Sequence, residues 1–78
     1  MNQKLPLSKL PLGKSATVKE LLTSGTMRRR LQDLGVISGT KIECVLKSPA
    51  GDPMAYQIRG AFIALRNKDS DKIIVTHI

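Results

Sequence analysis

Three consecutive guanidiniums, Arg28, Arg29 and Arg30, are the side chains of this sequence best suited to recognising another molecule. Arginine stays charged at any physiological pH and offers a planar fork of donors that fits a carboxylate or a phosphate in two parallel hydrogen bonds. Beside the polar stretch Thr23-Ser24-Gly25-Thr26, the run suits an acidic or phosphorylated surface; the same run could also serve only as a solvated helix face. Arg59 and Arg66 add two further cations at the ends of apolar segments. Groups for covalent or metal chemistry are sparse. Cys44 and His77 are the one thiol and the one imidazole, short of a tetrahedral site unless carboxylates or a second chain complete it. No serine has a recognisable histidine and acid partner, no glycine-rich phosphate loop occurs, and spacing places no carboxylate pair. The chemistry on offer is that of a binding module rather than an enzyme.

Size and composition agree. Seventy-eight residues, 41% hydrophobic and 24% charged, suit one domain spanning 1–78 with a thin core and little room for a deep substrate cleft. Apolar runs reach four or five residues, as at Ala61 to Leu65, where a membrane-spanning helix needs about 20. Lys4, Pro6, Lys9 and Pro11 interrupt the stretch from Met1 to Leu12, which lacks the continuous apolar segment of a secretory signal. A cytoplasmic location is expected, and a lone cysteine agrees with a reducing compartment. Thirteen basic against six acidic residues give a net charge of +7, which draws polyanions: nucleic acid, anionic lipid or an acidic protein surface. The two aromatics, Tyr56 and Phe62, are too few for the row of stacking platforms of single-strand binders, although phosphate contacts need only Lys and Arg.

Alternation places strands at Ser15 to Leu22, Lys41 to Lys47, Met54 to Arg59, Ala61 to Arg66 and Lys72 to His77. In the first, Ala16, Val18, Glu20 and Leu22 share a face; in the second Ile42, Cys44 and Leu46 do, so Cys44 is expected as a small buried apolar residue. Between them Met27, Leu31 and Leu34 form the apolar stripe of a short helix, with Arg28 and Arg30 on its flanks and Arg29 opposite. Ser24 or Thr26 could cap it, and Gly35 supplies its left-handed stop. Ser48 to Pro53, with two prolines, reads as an exposed hairpin loop, Gly60 as a tight turn or a bend at a barrel corner, and Asn67 to Asp71 as a polar turn. His77, at the chain's end, reads as solvated. Five short strands and one inserted helix predict a mainly β fold, a small SH3-like barrel that removes its edges by closure; an oligonucleotide-binding barrel has similar element counts.

The order Arg30-Leu-Gln-Asp-Leu-Gly-Val-Ile-Ser-Gly39, Ser48-Pro-Ala-Gly-Asp-Pro53, Ile58-Arg-Gly60 and Ala64-Leu-Arg66 resembles the ferrous iron transport protein A family, FeoA, over about Leu7 to Val75. The resemblance implies an SH3-like barrel with an inserted helix, a domain also fused to iron-dependent repressors as their C-terminal module. It also implies a cytoplasmic accessory of the FeoB-type membrane GTPase that imports ferrous iron. Ser38 stands where the family most often has proline, which softens a turn, and Asp69-Ser70-Asp71 is more acidic than usual.

In that context Arg28, Arg29, Arg30, Arg59 and Arg66 are the candidate partner-binding residues, and an arginine finger reaching the transporter's GTPase site is the sharpest version. Gly35, Gly39, Gly51, Pro53 and Gly60 are expected as structural turns. No cofactor is expected; the pathway leaves transition-metal binding open, with no ligand set in view. A basic nucleic-acid module and a metal-responsive regulatory domain are the alternative readings, and an exposed strand edge could pair two copies.

Overall fold

A computed structural model describes residues 3–77; Met1, Asn2 and Ile78 of the expected 1–78 span lie outside them. Six antiparallel strands form one sheet in the order β1-β6-β2-β3-β4-β5: β1 (Gln3–Pro6), β2 (Ser15–Leu21), β3 (Lys41–Lys47), β4 (Met54–Ile58), β5 (Ala61–Leu65) and β6 (Ile73–His77). Helix α1 (Gly25–Asp33) sits in the connection between β2 and β3, and the single turn α2 (Asn67–Ser70) between β5 and β6. The sheet has one strand more than alternation places, and β1 and β5 stand at its two ends, which corrects the expectation that closure removes the edges. Lys4 and Pro6 obscure β1 in the sequence, yet an edge strand tolerates both, and β1 pairs with β6 from Gln3↔His77 to Pro6↔Ile74. His77 is thus a half-buried strand residue, not a frayed end. The 3-10 turn Leu7–Lys9 follows and sends Leu7 and Leu10 into the core.

Two bulges override simple alternation. Register shifts between Val18 and Glu20, where β2 meets β6, and between Cys44 and Leu46, where β3 meets β4. An extra residue in one strand reverses the faces of all that follow. Leu21 is therefore buried and Leu22 exposed, while Ile42 and Cys44 are buried and Leu46 is 64% exposed. This corrects the expectation that Leu22 shares a face with Ala16 and Val18, and Leu46 one with Ile42 and Cys44. Tyr56, Ile58, Ile73 and Val75 fill the centre with Val18, Ile42 and Cys44. Burial pushes the Cys44 thiol up from its ordinary value of 9.0 and the Tyr56 phenol up from 10.0; Lys47 partly offsets the first and Ser70 the second.

Both groups are held in their protonated forms by the fold. Their contribution to stability is complete below the unfolded values and is lost as pH rises through them toward the raised folded values. The denaturant midpoint should therefore decline above about pH 9. A Cys44→Ala variant should delay that decline; equal slopes in the two proteins would place its cause elsewhere. The native thiol should also resist alkylation until the chain unfolds.

The turns follow local chemistry. Arg59 (φ 52°) and Gly60 (φ 82°) form a two-residue connection with both φ positive, the type I′ geometry of a tight hairpin. Gly60 is therefore the tight turn of the two readings, not a corner bend. Gly39 (φ 92°) closes a turn in which the Thr40 amide donates to Ile37 O at 3.1 Å. Ser38 occupies the position proline favours in a type II turn, and the turn forms without it. In the loop from Ser48 to Pro53 the Gly51 amide donates to Ser48 O, and Asp52 Oδ1 accepts from the first amide of α2, that of Asn67, at 2.9 Å. Asn67 Nδ2 returns a bond to Gly51 O, and the peptide between Asp52 and Pro53 is cis. Asp52 is thus committed to latching this loop onto α2.

Candidate partner-binding site

Helix α1 is short, and its ends hold it. Ser24 occupies the N-cap position, but its hydroxyl makes no capping bond, and Gly25 enters at φ 64°. The bracing comes from Arg28, whose Nη1 donates to Leu21 O at 2.8 Å and Thr23 O at 3.5 Å. At the other end Gly35 (φ 99°) donates to Gln32 O and the Val36 amide to Leu31 O, the paired bonds of a Schellman stop. The hydrophobic contact that accompanies such a stop falls to Leu31 and Val36, both 0% exposed. Leu31 is the buried side chain of α1; Met27 is half-buried and Leu34 is 39% exposed.

This geometry separates the five candidate arginines. Arg28, exposed like its two neighbours, turns one guanidinium nitrogen back to the backbone at the end of β2. Arg29 and Arg30 are exposed on α1, and among the described residues neither donates a hydrogen bond like those of Arg28. Arg59 lays its aliphatic stem over Gly35: a Cβ built there would meet Arg59 Cδ at 2.7 Å. Its cation therefore stands by the carbonyl end of α1, where positive charge is favoured. Arg66 is exposed at the junction of β5 and α2.

A Gly35→Ala substitution should lower stability by about 1–2 kcal/mol, because alanine strains at φ 99° whatever the space. The clash with Arg59 Cδ is the smaller cost, since the end of a flexible side chain can move. A Gly35→Ala/Arg59→Ala double variant should therefore recover little in a urea melt; full recovery would assign the cost to the clash.

The sheet curls far enough to bring β5 beside α1, although α1 joins β2 to β3. A groove of about 370 Å³ runs between them, walled by Met27, Arg30, Leu31 and Leu34 on one side and Phe62 to Leu65 on the other, with Asp69 also on its lining. Sequence reasoning placed Arg30 and Leu34 but missed the groove. Its one local signal is Ala61-Phe62-Ile63-Ala64-Leu65, a strand without charge or proline. Phe62, 69% exposed, is the one exposed aromatic, because Tyr56 is fully buried, which leaves a single platform for base stacking. Among the described residues no three His, Cys, Asp or Glu side chains gather as a metal set, and no helix is long and apolar enough to cross a membrane.

The class so defined is a small, mainly β, SH3-like domain with one helix inserted between its second and third strands. By sequence the chain belongs to the FeoA family, whose domain matches residues 5–77. A solved FeoA protein from Chlorobium tepidum shares 32% identity and superposes with a TM-score of 0.87 over 95% of this chain and 70% of that one. The Stenotrophomonas maltophilia FeoA complexed with zinc, described as a prokaryotic SH3 domain protein, shares 33% identity with a TM-score of 0.79, covering 88% and 86%. The Fe(2+) transport protein A/Fe(2+) transporter FeoB fusion protein of Porphyromonas gingivalis is 33% identical over 69 residues, 88% of this chain. The chain spans 8% of the length of that relative. The fusion links the family, one of accessory domains, to ferrous iron transport.

Proposed function

We propose that this domain is a non-enzymatic cytoplasmic accessory of ferrous iron uptake that docks, through the outward face of α1, on the cytosolic part of a FeoB-type membrane GTPase. The observation that carries the reading is the exposed pair Arg29 and Arg30 on a helix clamped at both ends, in a chain whose relative is fused to such a transporter. A fused chain keeps its two parts at effective concentrations of about millimolar. Attraction between a +7 body and an acidic surface favours the same association by raising the encounter rate. Arg28 and Arg59 hold the helix, and Arg29 and Arg30 meet the partner.

The test is ferrous iron uptake by cells lacking the domain. Wild-type protein should restore uptake and an Arg29→Glu/Arg30→Glu variant, present at equal abundance, should not. Full rescue by that variant would remove the helix face from the function.

A further inference from the structure

We propose that the groove between α1 and β5 receives an extended, acidic and apolar segment of the protein partner, which adds to the sheet as a seventh strand along β5. The inference rests on the docking reading above and names the kind of partner segment involved.

β5 ends the sheet, with β4 on one side and the groove on the other. In a two-residue hairpin the residues flanking the turn, here Ile58 and Ala61, exchange both hydrogen bonds, and bonding then alternates along the ladder. Tyr56↔Ile63 and Met54↔Leu65 are therefore bonded pairs, while Gln57↔Phe62 and Ala55↔Ala64 are not. The amides and carbonyls of Phe62 and Ala64 point away from β4, toward the groove. That edge also lacks the usual protection. β1, at the other end of the sheet, carries Lys4 and Pro6, which blunt pairing. β5 carries neither charge nor proline, and a bare apolar edge is a template for an added strand.

The groove fixes the chemistry of the occupant. Met27 and Leu34, which flank the buried Leu31, offer apolar contact to side chains of an added strand. Arg30 on the same wall selects a carboxylate. Asp69, also on the lining, disfavours a second acid beside it. A second copy of this chain is the poorer occupant, because it would bring two +7 bodies together with Arg30 beside its own counterpart.

The experiment is amide hydrogen exchange on the intact chain with and without the transporter's cytosolic GTPase region. Exchange at Phe62 and Ala64 should slow by at least about tenfold on binding. Ile63 and Leu65, already bonded to β4, should change little. Ala64→Pro removes only an outward amide, at an edge position where proline is tolerated, and should weaken binding at least about tenfold. Unchanged exchange at Phe62 and Ala64 with shifts on α1 would overturn the strand-addition proposal and leave the docking reading standing. No change anywhere would overturn both. Protection of the same two amides by phosphatidylglycerol vesicles alone, or by raising the protein's own concentration, would assign the edge to lipid or to a second copy and overturn the proposal.

Discussion

An Arg29→Glu/Arg30→Glu variant should lose affinity for the cytosolic GTPase region of the transporter by at least about 100-fold while keeping its fold. Each reversal turns an attractive contact into a like-charge juxtaposition, which costs several kcal/mol across an interface, and about 1.4 kcal/mol is a factor of ten. The variant leaves Arg28 in place because its guanidinium ties α1 to Leu21 O and Thr23 O. Reversing it would mix loss of contact with loss of structure. The control is Lys4→Glu/Lys14→Glu, which makes the same change in net charge on β1 and ahead of β2. If attraction between whole bodies governs docking, both variants should lose alike. If the α1 face governs it, the lysine variant should lose only a few-fold, and that loss should shrink as salt rises.

Leu31→Ala should be the most damaging single change on α1, lowering the unfolding free energy by about 3 kcal/mol. Leu31 is fully buried and packs at the Schellman stop with Val36, so truncation opens a cavity and weakens the helix end together. A domain of this size has about 4–12 kcal/mol in total, and the melting temperature should fall by roughly 15 °C. Leu34→Ala is the informative neighbour. At 39% exposure it should cost under about 1 kcal/mol while removing part of the groove wall. Thermal melts of the two variants separate them; equal losses would mean that Leu34 is as much a core residue as Leu31.

What the sequence discloses here is whatever a few neighbouring residues decide. The helix stop at Gly35, the type II turn at Gly39 and the alternation from Lys41 to Cys44 rest on local backbone and side-chain preferences, and the structure contains each of them. The bulges near Lys19 and Val45 are set by pairing with distant strands, so Leu22 and Leu46 leave the faces that simple alternation assigns them. β1 was hidden for a similar reason: Lys4 and Pro6 argue against a strand in isolation and are tolerated only because β1 lies at an edge. For the candidate site, the arginines were legible as a run, but their division of labour was not. Arg28 turns back to carbonyls near the end of β2 and Arg59 covers Gly35 from another hairpin, contacts made only once the sheet curls. The groove is wholly a product of that curl, since its walls come from segments about thirty residues apart in the chain.

The most direct test of the central claim is titration of the isotope-labelled domain with the transporter's cytosolic GTPase region at about 0.15 M salt, where long-range attraction is largely screened. Backbone amides should then be followed one by one. Docking through α1 predicts saturable shifts at residues 27–34, with Leu12 and Leu46 unmoved. Shifts spread evenly over the surface, or concentrated away from α1, would contradict it.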